Sequence, residues 1–172
     1  SEPSRTDKIR IGYLSPDFRT HPVGFLLAGL LDSHDRERFE TFGFSVGVDD
    51  QSPIRARIQK SFSEFISLTH QSDAEVTSAI RSARLDILVD LAGHTQGRRL
   101  RVLAQRPAPI MAGFLGFAGT VGGGLLDYII ADRTVIPEDN RRYFSEKIVC
   151  LPDSFMPHDR KGREISDQPV AR

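Results

Sequence analysis

One short run, LDILVDLAG (85–93), most constrains what this chain can fold into. It is apolar along nearly its whole length, and leucine, isoleucine and valine dominate it. A continuous apolar run of this length is typical of a strand that is covered on both faces in a parallel sheet. The run therefore predicts a central strand with helices packed above and below it.

Strand-like and helix-like segments alternate along the rest of the chain, with short connections between them. The predicted strands are residues 8–14, 39–46, 64–68, 108–117, 127–137 and 147–153, and the predicted helices are 23–34, 52–61, 73–83 and 97–106. This alternation favours an α/β fold. We expect one Rossmann-like domain over residues 8–153, with a mostly parallel sheet and helices on both faces.

Composition and charge bound the class of protein. The chain has 23 Lys plus Arg and 23 Asp plus Glu, so charge gives no reason to expect nucleic acid or an anionic membrane as partner. No apolar run approaches the length of a membrane span, and the single cysteine favours a reducing compartment. Residues 1–7 are expected to be a linker or a cut end, and residues 154–172 a polar tail.

Three polar loops follow predicted strands at their carboxyl ends. They are SPDFRTHP (15–22), AGHTQG (92–97) and GFAGTVGGG (116–124). In open parallel sheets, ligands bind beyond the carboxyl ends of the strands where the strand order reverses, which is most often between the first and fourth strands. We therefore expect His21, His94 and the glycine loop to converge on one rim.

His21 directly precedes Pro22, a residue that suits the first position of a helix. The positive end of the helix dipole disfavours an imidazolium there, so a neutral ring could accept a proton or a hydrogen bond. The structural alternative is that His21 only caps the helix and Asp17 closes the turn. The motif alone leaves both interpretations open.

The other two loops also have structural interpretations. Thr95 can cap the helix that follows, which would leave His94 partly exposed in a turn. The segment GTVGGG (119–124) offers unobstructed backbone N–H groups that can approach a sugar or phosphate, or it can be a plain connector. No spacing of histidines with the single cysteine matches a metal site, so no metal is expected.

Five stretches of the sequence carry a resemblance to a known family. They are RIGYLSPDFRTHPVGFLL, DILVDLAGHTQGRRL, QRPAPIMAGFLGFAGTVG, LDYIIADRTVIP and YFSEKIVCLPDSFMPHD. Together and in this order they resemble the N-terminal lobe of the catalytic region of O-linked N-acetylglucosamine transferases, glycosyltransferase family 41, and bacterial members most of all. The resemblance runs from about Lys8 to Asp159. The plant SPINDLY proteins, which use a fucose donor, resemble the same enzymes.

The resemblance implies one lobe of a two-lobed GT-B enzyme. Such an enzyme transfers GlcNAc from UDP-GlcNAc to Ser or Thr hydroxyls of an acceptor protein with inversion, in the cytoplasm, and needs no metal or other cofactor. A C-terminal lobe and tetratricopeptide repeats would complete it, so this chain alone is expected to be inactive. The alternatives are a SPINDLY-like protein O-fucosyltransferase using GDP-fucose and a non-catalytic protein-interaction module.

The resemblance also implies roles for residues of the first two loops. The family's HP motif falls on His21 and Pro22, and its histidine lies in the cleft as a general base or a substrate binder. Asp17 and Pro22 are expected to contact substrate beside it. The family's GHT-like loop places His94 and Thr95 at the rim of the cleft.

The third loop matches the family pattern only in part. A GYPGTSG-like loop of the family matches GFAGTVG here, which implies that Gly116, Gly119 and Thr120 lie near the sugar. Ala118 stands where proline is common, and Val121 where a small hydroxyl residue is common. Contacts that depend on those two side chains are therefore not expected in this chain.

Overall fold

A seven-stranded sheet forms the centre of the computed structural model, which describes residues 8–159 and Gly162. The strands are β1 (Ile9–Ser15), β2 (Phe39–Ser45), β3 (Glu64–Ser67), β4 (Ile87–Asp90), β5 (Ile110–Phe114), β6 (Tyr128–Ala131) and β7 (Lys147–Cys150). The helices are α1 (Pro22–Asp32), α2 (Pro53–Ser61), α3 (Asp73–Ser82) and α4 (Leu100–Ala104), with a 3₁₀ helix at Glu138–Tyr143. The predicted α/β class is confirmed.

The strand order is β3-β2-β1-β4-β5-β6-β7, and every neighbouring pair is parallel. The order therefore reverses between β1 and β4, which pair directly from Ile11 with Ile87 to Leu14 with Asp90. Because all strands are parallel, the loops that follow them leave the same edge of the sheet, which we call the carboxyl edge. The reversal places a ligand crevice at this edge, between β1 and β4.

Helices cover both faces of the sheet, as the apolar run predicted. Successive residues of a strand point to opposite faces. In β4, Leu88 belongs to the apolar cluster that includes Val76 of α3 and Val102 of α4. Its neighbour Val89 belongs to the opposite cluster, which includes Leu27 of α1 and residues of α2. The central strand is thus buried on both sides.

The helix predicted over residues 97–106 is shorter than its sequence pattern indicated. Gly97 has a φ of +81°, in the left-handed region that favours glycine, so a right-handed helix cannot include it. Arg99 then occupies the N-cap position of α4 with no side-chain hydrogen bond to the helix. The polar half of the predicted helix is therefore a loop at the carboxyl edge.

The strand predicted over residues 127–137 also ends early, at Ala131. Asp132 terminates it, because its carboxylate accepts the backbone N–H of Thr134 and of Val135, at 2.9 and 2.8 Å. Such a local turn replaces the sheet ladder.

The segment after β7 packs against the rest of the domain as far as it is described. The side chain of Phe155 joins the apolar cluster on the α1–α2 face. Asp159 pairs with Arg57 of α2 at 2.6 and 3.2 Å. Within residues 8–159, no helix has the length and apolar character that crossing a bilayer requires.

Leu88→Ala is expected to lower the free energy of unfolding by about 2–5 kcal/mol, because the fully buried leucine would leave a cavity in the central strand. Urea unfolding of the chain, followed by circular dichroism, measures this change. Ile110→Ala is the matched control, since Ile110 at the start of β5 is 40% exposed and its truncation should cost less than half as much. Equal losses in the two variants would contradict the packing of β4.

Candidate active site

A cleft of about 470 Å³ opens at the carboxyl edge of the sheet. The loops that follow β1, β2, β3, β4 and β5 all contribute to its walls. The lining residues are Pro16, Asp17, Arg19, His21, Val23, Val46, Gly47, Val48, Thr69, Thr95, Gln96, Gly97 and Gly116. The cleft lies over the reversal of strand order and extends from there toward β2 and β3.

His21 lies at the wall of this cleft and is also the N-cap of α1. Its backbone is extended, with φ −155° and ψ 150°, and Pro22 follows at the start of the helix. Nδ1 accepts the backbone N–H of Val23 at 3.2 Å. Because Nδ1 is the acceptor, the neutral imidazole carries its hydrogen on Nε2. The side chain is 34% exposed, so the ring is accessible to a molecule in the cleft.

Asp17 is the carboxylate nearest to His21 in the same loop. It is 5% exposed, and its Oδ2 lies 3.7 Å from His21 Nδ1, too far for a hydrogen bond. Its Oδ1 accepts a hydrogen bond from Arg19 Nη2 at 3.1 Å. The buried negative charge is therefore paired with the Arg19 guanidinium at the mouth of the cleft.

Thr95 and Gly116 form the opposite wall of the cleft. Thr95 Oγ1 donates to the carbonyl of Ala92 at 2.8 Å, and α4 begins only at Leu100, so Thr95 does not cap that helix. Gly116 lies against the backbone of Leu91, where a Cβ would stand 1.9 Å from the carbonyl oxygen. Any side chain at position 116 would push the loops after β4 and β5 apart.

Asp90, the last residue of β4, is a buried carboxyl group directly below this wall. It is 3% exposed, and its Oδ2 accepts the N–H of Gly93 at 2.7 Å. Burial raises the pKa of Asp90 to about 6, although hydrogen bonds from Gly93 and Ala92 and the charge of His94 act in the opposite direction. The carboxyl group thus holds its proton more tightly than an exposed aspartic acid does, while it holds the turn that leads to Thr95.

His94 points away from the cleft lining and toward the glycine loop. Its Nε2 lies 3.0 Å from the carbonyl oxygen of Val121, to which it donates when protonated at that nitrogen. Its ring meets the ring of Phe117 edge to face, with centroids 5.3 Å apart. His94 therefore joins the loop after β4 to the loop after β5.

Glu146, which precedes β7, holds the glycine loop from the other side. It is 5% exposed and accepts hydrogen bonds from Thr120 Oγ1 at 2.7 Å, Val121 N at 2.7 Å and Gly122 N at 3.3 Å. Burial alone would raise the pKa of Glu146, but these donors outweigh it and hold the pKa below its usual range. Two of the N–H groups that the sequence suggested for a ligand are therefore used within the protein.

The structure brings together four of the predicted site residues at the cleft: Asp17, His21, Thr95 and Gly116. The other four, Pro22, His94, Gly119 and Thr120, do not line it. Of these, Pro22 begins α1, and a Cβ on Gly119 would meet the ring of Phe117.

Sequence reasoning missed the walls that come from the loops after β2 and β3. Val46, Gly47, Val48 and Thr69 line this part of the cleft. Their position after predicted strands was the available signal, because the carboxyl-edge rule applies to every parallel strand. Within the described part of the chain, no group of three or more His, Cys, Asp or Glu side chains could hold a metal ion.

The fold is a Rossmann-like lobe of the kind found in GT-B glycosyltransferases. The solved structure of a mutant of the O-GlcNAc transferase of Thermobaculum terrenum matches this chain with a TM-score of 0.83 and 31% sequence identity, over 87% of this chain and 29% of that one. The chain belongs to glycosyl transferase family 41, whose family model matches residues 1–163.

Curated relatives are much longer than this chain. A probable UDP-N-acetylglucosamine–peptide N-acetylglucosaminyltransferase of Arabidopsis thaliana, SEC, is 34% identical over 93% of this chain and 17% of that protein. The UDP-N-acetylglucosamine–peptide N-acetylglucosaminyltransferase of Caenorhabditis elegans is 32% identical over 96% of this chain and 15% of that protein. SPINDLY of Arabidopsis thaliana is 32% identical over 86% of this chain and 16% of that protein. The chain therefore spans about a sixth of these relatives.

The buried carboxyl of Asp90 is expected to make the stability of the chain depend on pH. Its pKa is 3.8 in the unfolded reference and about 6 in the folded state, so the folded state holds the proton more tightly. Stability is then lost as the pH rises from about 4 to about 6, by about 2–3 kcal/mol. Urea unfolding at a series of pH values measures this loss.

Asp90→Asn should remove this pH dependence, because a carboxamide keeps an acceptor for the Gly93 N–H and carries no charge. Asp153→Asn is the control, since Asp153 is exposed and its removal should leave the wild-type profile unchanged. If the free energies of unfolding of wild type and Asp90→Asn differ by the same amount at pH 4 and pH 7, the buried-carboxyl interpretation is wrong.

Proposed function

We propose that this chain is the N-terminal catalytic lobe of a protein O-GlcNAc transferase, which transfers GlcNAc from UDP-GlcNAc to Ser or Thr hydroxyls of proteins. The observation that carries this proposal is the position of His21, at a cleft where the strand order reverses. Membership of family 41 and the names of the relatives from Arabidopsis thaliana and Caenorhabditis elegans support the donor and the acceptor class.

The proposed enzyme requires more than this lobe. An acceptor hydroxyl must attack the anomeric carbon, and the charge of the leaving diphosphate must be stabilised. We assign the diphosphate contacts to a C-terminal lobe of the same protein, which would also carry tetratricopeptide repeats and act in the cytoplasm. The cleft described above is then one wall of the complete active site, and the isolated lobe is inactive.

In this proposal His21 contributes a hydrogen-bond donor to the substrate. The cap uses Nδ1, so Nε2 carries the hydrogen and can bind a hydroxyl or sugar oxygen in the cleft. To act as a base at Nε2, the neutral ring would need its hydrogen on Nδ1, and the cap, worth about 1 kcal/mol, would be lost. The geometry therefore favours substrate binding by His21 over proton abstraction.

The similarity to SPINDLY proteins supports a second candidate for the sugar-nucleotide donor. It reaches 34% identity for the SPINDLY protein from Oryza sativa subsp. japonica. The resemblance to SPINDLY implies GDP-fucose as donor, so the alternative enzyme is a protein O-fucosyltransferase. A lobe that only binds other proteins is the non-catalytic alternative.

The intact protein is expected to transfer labelled sugar from UDP-GlcNAc to an acceptor protein, and to transfer much less from GDP-fucose. Mass spectrometry of the acceptor identifies the sugar and the modified hydroxyl. Transfer should persist in EDTA, because the proposal includes no metal. Fucose transfer instead would establish the alternative donor, and no transfer from either nucleotide would favour the interaction module.

His21→Asn is expected to keep clearly more activity than His21→Ala. Asparagine is a strong N-cap residue and its amide can still donate to substrate, whereas alanine can do neither. Steady-state transfer by the intact protein measures both variants. If His21 is a general base, both substitutions should remove the base and lower kcat alike, by about 10²–10⁴-fold.

A further inference from the structure

We propose that Arg55 and Asp50 are positioning residues for His21, which they hold in the cleft through the backbone of residues 18–20. Neither side chain lines the cleft. The inference rests on the proposed function, because it concerns the same cleft and the same histidine.

Arg55 is a buried cation whose partners lead to the His21 loop. It lies in α2 and is only 2% exposed, and a buried charge is costly unless it is paired and hydrogen-bonded. Its Nη1 donates to the carbonyl of Phe18 at 2.9 Å and to Ser45 Oγ at 3.2 Å. Its Nε lies 2.8 Å from Asp49 Oδ1, as an ion pair rather than an aligned hydrogen bond.

The side chain of Phe18 holds this residue in place independently of the hydrogen bond that its carbonyl accepts from Arg55. Its side chain is fully buried and packs against the rings of Phe62 and Phe65, with centroids 5.5 and 5.8 Å away. The guanidinium of Arg55 lies 5.2 Å from the ring centroid of Phe65. The peptide after Phe18 is therefore held by a hydrogen bond on one side and by aromatic packing on the other.

Asp50 holds the next part of the same loop. Its Oδ2 accepts the backbone N–H of Thr20, the residue directly before His21, at 2.7 Å. Its Oδ1 accepts the N–H of Ser52, which ties Asp50 to the start of α2. Partial desolvation of this exposed carboxylate would raise the pKa of Asp50, but hydrogen bonds from Thr20 and Ser52 outweigh it and hold the pKa well below its usual range.

The backbone of the β2–α2 connection also lies directly against the His21 loop. A Cβ on Gly47 would stand 1.8 Å from the carbonyl oxygen of Pro16, so only glycine permits this approach. Val46 N donates to Ser15 O at 3.0 Å. The connection therefore contacts the loop at its beginning and at the residue before His21, and Arg55 of α2 contacts its middle.

These contacts fix the backbone on one side of His21, and the helix cap fixes its ring on the other. The cap alone leaves the backbone before His21 free to move the ring relative to the cleft. Displacements of about 1 Å in a group that positions the substrate can cost ~10²-fold in rate. Loss of the Asp50 contact should therefore lower the rate of sugar transfer. It should leave the free energy of unfolding nearly unchanged, because Asp50 is exposed.

The test compares Asp50→Ala and Asp50→Asn in the intact protein, each alone and combined with His21→Ala. Asparagine keeps an oxygen that can accept the Thr20 N–H, so Asp50→Asn should be close to wild type. Asp50→Ala should lower kcat/KM for sugar transfer by about 10–100-fold, because a displaced His21 no longer donates its hydrogen bond to the bound substrate. Asp35→Ala is the matched control, because Asp35 makes a similar turn contact with Glu37 N, away from the cleft.

The double variants distinguish positioning from a general structural role. If Asp50 acts through His21, Asp50→Ala should have less than about a twofold effect once His21 is alanine. If that background is too slow for a steady-state assay, single-turnover transfer with the enzyme in excess over the acceptor measures its rate. Arg55→Lys loses the contacts of Nη1 with Phe18 and Ser45. It should likewise lower sugar transfer when His21 is present and have little effect once His21 is alanine.

Two results would overturn the inference and leave the proposed function intact. One is full activity of Asp50→Ala. The other is an equal fold-loss for Asp50→Ala with and without His21. If His21→Ala itself transfers sugar at the wild-type rate, the role proposed for His21 fails, and the positioning inference fails with it.

Discussion

The parallel pairing of β1 with β4 is the contact on which the whole site depends. It joins Ile11 to Ile87 and Leu14 to Asp90 at the centre of the sheet, where the strand order reverses. Because the chain leaves the two strands in opposite directions, their loops flank an open crevice instead of being covered by a shared helix. His21 and Thr95 are far apart in sequence and share one cleft for this reason alone.

The sequence predicted best those features that a hydrophobic period determines. The run around Leu88 and Val89 has no polar face. A strand between two layers of helices buries both of its faces, which is why the run predicted that arrangement. The carboxyl-edge rule predicted that the loops with His21, His94 and the glycines share one rim, and His21, Thr95 and Gly116 of these three loops line the cleft. The start of α4 was predicted less well, because Gly97 has a φ of +81° and the helix begins only at Leu100.

Contacts between distant segments determine the positions that the sequence could not specify. His94, which was expected at the rim, directs its Nε2 toward the Val121 carbonyl, and Glu146 engages the hydroxyl of Thr120. Neither contact has a local signature, because the partners are more than 20 residues apart. The sequence likewise gives no local sign that Arg55 differs from the other arginines, and only its burial and its hydrogen bond to the Phe18 carbonyl distinguish it.

The distribution of buried polar groups connects the stability of this fold to its cleft. Ser15, Ser45 and Asp90 are the last residues of β1, β2 and β4, and each is almost fully buried. Two buried charged residues contact these serines: Arg55 donates to Ser45 Oγ, and the backbone N–H of Asp17 donates to Ser15 Oγ. An apolar set of side chains here would bury more hydrophobic surface at lower desolvation cost. Such a set would leave the backbone of the His21 loop without the donors and acceptors that define its path. The polar residues at this edge therefore lower the attainable stability of the core and in return give one conformation to the loops that surround the cleft.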